Sequence, residues 1–318
     1  MKKILITGGA GFIGLSLTKR LLKSYEIHII DNFDRGKKDG EFKRIIKNKN
    51  IKVIKFDLSK KININHQYYC IFHLAAIVGV DNVISKPYDV LNKNILFLQN
   101  ILEFSKKQKK LKKFFFFSTS EVYSGSIKSK LIKFPTSEEQ VITLPKLIDK
   151  RSTYLLSKIY GESLCLHSQV PCLIVRPHNI YGPRMGFSHV IPQLAYKVLN
   201  EKKRVLVFNP LHKRTFCFID DFIEALMLLM VKNKLKHNIY NIGNQHNEIN
   251  MHDLAKKIVR YYGLKNKICV KKINNSSPKR RVPSILRLKK DINFLNSFSL
   301  DQGLKKTLAW YKNHYQKG

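Results

Sequence analysis

Residues 4–14 read Ile4-Leu5-Ile6-Thr7-Gly8-Gly9-Ala10-Gly11-Phe12-Ile13-Gly14. The apolar triplet predicts a buried strand, and Leu15, Leu17, Leu21 and Leu22 beyond the last glycine predict a helix. A strand, a tight glycine turn and a helix N-terminus together make an anion site. Glycine admits a pyrophosphate to the backbone, and the free N–H groups and helix dipole favour its charge. The next apolar run, residues 27–30, ends at Asp31, twenty positions after Gly11. A carboxylate there accepts hydrogen bonds from ribose hydroxyls and repels a 2′-phosphate, so the reading is NAD rather than NADP.

The alternation of strand and helix continues outward. Residues 51–56 form a strand ending at Asp57-Leu58, and residues 70–74 another ending at Ala75-Ala76. Small residues at a strand's carboxyl end leave room for a cofactor, where open α/β sheets bind ligands. His73 within that strand is read as packed, not catalytic. Residues 94–106 carry a helical apolar stripe. The run Phe114-Phe115-Phe116-Phe117 delivers Ser118-Thr119-Ser120-Glu121-Val122-Tyr123 to the same edge of the sheet. Hydroxyls and a carboxylate gathered there are placed for chemistry.

Residues 124–152, with Pro135 and Pro145, read as an irregular loop suited to cover a ligand. Then comes Tyr154-Leu155-Leu156-Ser157-Lys158. On a helix, Tyr154 and Lys158 stand one turn apart on one face. A phenol has a pKa near ~10 and needs a nearby cation to act as a base at neutral pH. Residues 172–176 form a further strand leading into Pro177-His178-Asn179-Ile180-Tyr181-Gly182-Pro183-Arg184. Beyond it the alternation loosens. Helices are expected over 191–199, 222–230, 250–262 and 300–315, with strands over 205–208 and 239–242.

Composition narrows the classes. The chain of 318 residues carries 59 Lys+Arg against 22 Asp+Glu, a formal charge of +37. The lysines are spread along the length, mixed with Asn and Ile as in 43–55 and 265–275, and form no separate basic tail. That pattern reads as compositional drift, with no specific nucleic-acid partner. No apolar run is long enough to insert in a membrane. The five cysteines show no metal-ligand spacing, so the expectation is reduced thiols, a cytoplasmic protein and no metal.

Four motifs in order resemble the extended short-chain dehydrogenases/reductases, in the NAD-dependent epimerase/dehydratase group acting on nucleotide sugars. They are the glycine turn 7–14, the segment 118–123, Tyr154-x-x-x-Lys158, and the segment 176–183. Arg214–Asp221 and Lys279–Pro283 are weaker echoes. The resemblance implies an α/β fold: a Rossmann-type doubly wound parallel sheet with a smaller C-terminal substrate-binding lobe. It places the NAD-binding domain at 1–176, completed by roughly 215–243, and the lobe at 177–214 and 244–318.

By the same resemblance Tyr154 is the base, Lys158 lowers its pKa and holds the nicotinamide ribose, and Thr119 binds the sugar hydroxyl. Ser120 and Glu121 complete the catalytic set. Gly8, Gly11, Phe12, Ile13, Gly14, Asp31, Asn32, Asp57, Leu58, Ala75 and Ala76 join Tyr154 and Lys158 around NAD. Asn179, Arg214 and Arg281 fall at the sugar diphosphate, where guanidinium forks match phosphate oxygens. A homodimer through the helix before the Thr119 strand and the Tyr154 helix is also implied. The chain departs from the family at Ser124 (usually Gly), Phe97-Leu98 (usually Gly-Thr) and Ser284 (usually Asp).

The expected activity is a nucleotide-sugar epimerase working through transient C4 oxidation. A 4,6-dehydratase and a UDP-glucuronate-type decarboxylase are alternatives on the same scaffold. Dehydratases of the group carry Thr-Asp-Glu, and this chain has Thr119-Ser120-Glu121, in which serine is a poor proton donor to a leaving hydroxyl; some dehydratases and the decarboxylases of the group carry the same Thr-Ser-Glu. A non-catalytic NAD- or nucleic-acid-binding protein is the remote alternative.

Overall fold

The computed structural model describes residues 1–200, 204–265, 267–273 and 278–315; parts of the basic stretch 265–275 and the end of the expected lobe lie outside these. Seven strands form the central sheet: β1 Lys3–Thr7, β2 Glu26–Asp31, β3 Ile51–Lys55, β4 Cys70–His73, β5 Lys113–Phe117, β6 Cys172–Pro177 and β7 Ile239–Ile242. Their spatial order is β7-β6-β5-β4-β1-β2-β3, and the sheet is parallel. The order reverses at β1, so the carboxyl ends of β1 and β4 flank the crevice where such sheets take ligands.

These strands form because they are buried on both faces. Ile4, Leu5 and Ile6 in β1 and Phe114 and Phe115 in β5 have no solvent exposure. Side chains of this kind contribute roughly 2 kcal/mol each on burial. Helices Pro87–Lys106 and Ser152–His167 pack on each other beside the sheet. Where they meet, Asn94 Nδ2 donates to Ser157 Oγ at 3.4 Å, and Asn94 Oδ1 accepts from Ile77 N–H at 2.7 Å. Phe97 and Leu98, the departures from the family's small pair, are buried in this core.

Two compact units result. The first comprises residues 1–125, 142–176 and 226–240; the second comprises 126–141, 177–225 and 241–318. This division differs from the sequence expectation in three places: residues 126–141, 215–225 and 241–243 belong to the second unit. Backbone pairing explains the first. Thr136 N–H donates to Val282 O and Thr136 O accepts from Ser284 N–H, both at 2.8 Å, while Glu138 Oε1 accepts from Asn241 N–H at 2.8 Å. Half of the expected loop is therefore fastened as part of the second unit.

That second unit has its own framework. Arg204–Phe208 pairs in parallel with Lys267–Lys271. Lys213–Arg214 lies between Ile249–Asn250 and Arg280–Arg281. Helix Met251–Tyr262 starts where the Asn250 side chain accepts from Asp253 N–H, and it stops at left-handed Gly263. Among the described residues, no helix is long and apolar enough to cross a membrane.

Candidate active site

The glycine turn is shaped by contact. Gly8 adopts φ +73°, and a Cβ there would lie 2.9 Å from the Ala75 backbone nitrogen. A Cβ on Gly14 would meet the Gly8 carbonyl at 2.4 Å, so helix Phe12–Leu21 packs against the turn only with glycine there. Phe12 and Ile13 open that helix, partly exposed. Asp31, at the end of β2, is 7 % exposed. Its two oxygens accept from Ala10 N–H at 3.0 Å and Phe33 N–H at 2.8 Å.

The neighbouring expected residues take simpler positions. Asn32 is tied to Asp34, donating to its carboxylate at 2.7 Å and accepting from its N–H at 3.1 Å. Asp57 is exposed and accepts from Ser59 N–H, whereas Leu58 is buried. Ala75 N–H donates to Thr7 Oγ1 at 3.2 Å, with Ala76 beside it, and the Thr7 hydroxyl lies 2.9 Å from His73 Nδ1. His73 is thus a packed residue; burial and then the Lys158 charge push its pKa down to about 3. A glycine cradle that a Cβ would fill, opposite a buried carboxylate, fits a dinucleotide.

At the carboxyl end of β5, Thr119 caps a short turn by accepting from Glu121 N–H at 3.2 Å. Ser120 is buried, and Ser124 donates to Glu121 Oε2 at 3.3 Å. Helix Ser152–His167 brings Tyr154 into hydrogen bond with Thr119 and puts Lys158 one turn on. Thr119, Glu121, Tyr154 and Lys158 therefore form one cluster.

Its electrostatics differ from the sequence expectation that Lys158 lowers the phenol's pKa. Lys158 Nζ donates to the Phe117 carbonyl at 2.8 Å and stands 5.9 Å from the Tyr154 ring centre. Burial pushes Lys158 down to about 8. Burial and the Glu121 carboxylate push Tyr154 up, opposed by the Thr119 hydrogen bond and the Arg35 charge. Tyr154 is a neutral phenol in this arrangement, and Arg35 is the cation that works on it.

Three residues near this cluster have no role in the sequence reading, although Arg176 opens one of the motifs. Glu162, one turn beyond Lys158, binds Arg176 through Nε at 2.9 Å and NH2 at 2.5 Å and accepts from Ser118 Oγ. Arg176 also donates to the Tyr123 hydroxyl at 2.6 Å. Arg151, just before the helix, lies 3.6 Å from Glu121 Oε2. Helical spacing was the available signal, since Arg151, Tyr154, Lys158 and Glu162 recur at three- and four-residue steps.

Asn179, Arg214 and Arg281 belong to the second unit. Asn179 sits at φ +44° and donates to Thr215 O at 2.9 Å. Arg214 and Arg281 are direct partners on neighbouring strands. Arg214 donates to Lys213 O at 2.7 Å and Lys279 O at 3.1 Å. Burial, then Arg214, Lys279 and Arg281, lower the pKa of His212. Like charges set opposite each other repel, which an anion between them would relieve. A cavity of about 200 Å³ in this unit is lined by Asn179, Arg214 and His212 together with Val207, Phe208 and Phe216. Among the described residues, no group of three His, Cys, Asp or Glu could hold a metal ion.

Comparison with known proteins agrees with this architecture. Residues 4–243 match the model of the NAD dependent epimerase/dehydratase family. The chain is 31 % identical to UDP-N-acetyl-alpha-D-glucosaminuronate decarboxylase of Bacillus cytotoxicus, over 98 % of each chain. It is also 31 % identical to a dTDP-D-glucose 4,6-dehydratase of Dictyostelium discoideum, over 81 % of this chain and 62 % of that one. The crystal structure of UDP-glucuronic acid 4-epimerase from Bacillus cereus, with UDP-glucuronic acid and NAD, superimposes at TM-score 0.83. Identity there is 28 %, covering 98 % of this chain and 100 % of the other. A family model that takes in the glycine turn, the Thr119 segment and the Tyr154 helix, and a relative alike from end to end, put this chain in the NAD dependent epimerase/dehydratase family, as an enzyme with NAD as cofactor.

Proposed function

We propose that the protein oxidises C4 of a nucleotide-linked sugar to a ketone and re-reduces it on the opposite face, a 4-epimerisation. The observation that carries this reading is the cluster of Thr119, Tyr154 and Lys158 at the carboxyl edge of the sheet, with Ser120 where dehydration needs an acid. Bound NAD supplies the acceptor and later the donor of the C4 hydride. Thr119 orients the C4 hydroxyl, and Tyr154 takes its proton as the hydride leaves. Arg35 favours the phenolate needed for that half of the cycle, and Lys158, held by the Phe117 carbonyl, holds the nicotinamide ribose. In the return half the neutral phenol gives the proton back to the ketone oxygen.

Gly8, Gly11, Phe12, Ile13 and Gly14 hold the pyrophosphate in this reading, and Asp31 with Asn32 holds the adenosine ribose. Asp57, Leu58, Ala75 and Ala76 border the rest of the dinucleotide. Asn179, Arg214 and Arg281 take the sugar diphosphate, and the cavity beside them takes the nucleoside. The enzyme works in the cytoplasm as a homodimer through helices Pro87–Lys106 and Ser152–His167, which expose Tyr88, Tyr160 and Leu166.

Decarboxylation is the second reading, favoured by the end-to-end likeness to a decarboxylase. A carboxylate at C5 is beta to a C4 ketone and leaves as carbon dioxide without an acid, so Ser120 is no obstacle. Incubation with UDP- and dTDP-linked hexoses and hexuronates separates the two. A mixture of C4 epimers in the NMR spectrum supports epimerisation, loss of carbon dioxide in the mass spectrum supports decarboxylation, and unchanged sugars overturn both.

A further inference from the structure

Cys165 lies in the last turn of helix Ser152–His167, and Cys172 opens β6. Their side chains meet across the intervening turn, where the Cys165 thiol donates to Cys172 Sγ. Ser168 sits between them. Its Oγ is 2.9 Å from Cys165 O and 3.6 Å from Cys172 Sγ, so its single proton can turn to either. Both cysteines are buried, at 1 % and 8 % exposure, in the core that holds Phe114, Phe116 and Ile174. The turn beside them is open: Leu166, His167 and Gln169 are exposed.

The two thiols are unlike. The hydrogen bond from Cys165 holds Cys172 below the ordinary thiol value against the effect of burial, with Ser168 helping. Donating that bond, burial, and the Cys172 and Glu162 charges push Cys165 up, with Lys158 opposing. Burial likewise pushes Cys70 and Cys217 up. Among the four buried thiols, Cys172 alone is eased towards the thiolate, the form that attacks an oxidant.

The pair is also tied to the site. Cys165 follows Lys158 on one helix, and Cys172 stands on the strand whose Arg176 grips Glu162 of that helix. A disulfide holds its sulfurs at ~2.05 Å, much closer than a thiol hydrogen bond does. Closing one draws the end of the helix onto the start of the strand and strains the 2.8 Å bond from Lys158 Nζ to the Phe117 carbonyl.

We infer that Cys165 and Cys172 form an oxidation site, where a hydroperoxide closes a disulfide that weakens the enzyme's hold on NAD. The Cys172 thiolate attacks the O–O bond, becomes a sulfenic acid and releases an alcohol, or water where the oxidant is hydrogen peroxide. The Cys165 sulfur then displaces the sulfenic hydroxyl as water. Two electrons pass to the peroxide, and both thiol protons leave in the products. The effect on NAD rests on the reading that Lys158 holds the nicotinamide ribose; the disulfide does not.

The test treats the full chain with hydrogen peroxide, alkylates it and digests it with trypsin. Both cysteines fall in one peptide, residues 159–184. It should be recovered unalkylated and two hydrogens lighter, and dithiothreitol should restore both thiols. Calorimetric titration of the oxidised protein should show NAD bound about tenfold more weakly, returning on reduction. Cys165→Ala should stop at a sulfenic acid on Cys172, trapped by dimedone, and keep its NAD affinity. Cys172→Ala should leave Cys165 unmodified. Two alkylated thiols after peroxide, or first oxidation at Cys165, overturn the site. A disulfide that leaves NAD affinity unchanged overturns the effect on the cofactor. Lys158→Met then tells why: weaker NAD binding in that variant faults the coupling, and unchanged binding faults the role given to Lys158.

Discussion

Glu162 and Arg176 form a buried two-bond ion pair, 2.9 and 2.5 Å long, and each grips one end of the segment that carries Thr119 and Glu121. Glu162 accepts a hydrogen bond from the Ser118 hydroxyl, and Arg176 donates one to the Tyr123 hydroxyl. The pair thereby fixes that segment against the helix bearing Tyr154 and Lys158. Arg176→Met leaves a buried carboxylate without its cation and should cost about 3–5 kcal/mol. The urea midpoint should fall accordingly, and more than in Glu162→Gln, which leaves neutral hydrogen-bonding capacity in place.

Tyr154→Phe removes the proton acceptor and little else. Turnover should drop about a thousandfold while substrate affinity stays nearly intact. Lys158→Met should lose turnover and also weaken NAD binding, as read by calorimetry. The split matters because Lys158 reaches the Phe117 carbonyl and not the phenol oxygen.

Asp31 should set the choice of cofactor. NAD should bind at least about tenfold more tightly than NADP, because a carboxylate facing a 2′-phosphate is a like-charge contact. Asp31→Asn keeps an acceptor near Ala10 and Phe33 and should narrow that gap, measured by titration with both dinucleotides.

His73 makes the fold sensitive to acid. Its folded pKa, pushed down to about 3, lies below the ordinary value of 6.5. Between those values the unfolded chain binds the proton and the folded chain does not. Stability is therefore whole above pH about 6.5 and falls as pH drops toward 3, by up to ~1.4 kcal/mol per pH unit. In His73→Asn the urea midpoint should be flatter with pH across that window.

Much of the fold was legible because it is written in local pattern. The buried strands are near-continuous apolar runs, and Gly8 and Gly14 stand where any side chain would strike backbone. The Tyr154–Lys158 spacing likewise needs only one helical turn. What the sequence hid depends on distant partners. Residues 126–141 join the second unit because Thr136 pairs with Val282 and Ser284, far along the chain. Lys158 was paired with Tyr154 from helical spacing and the family motif, and its hydrogen bond to a carbonyl on β5 depends on the fold. Arg151 and Glu162 carried the right period yet had no partner in view until Glu121 and Arg176 were brought to them.

The claim of transient C4 oxidation is tested most directly with UDP-glucose and UDP-glucuronate deuterated at C4, turned over by the NAD-loaded protein and read by NMR. The account predicts a product of inverted C4 configuration that keeps its deuterium at C4, with none taken from heavy water at C5. Deuterium lost from C4 to solvent, or turnover that leaves C4 untouched, would contradict it.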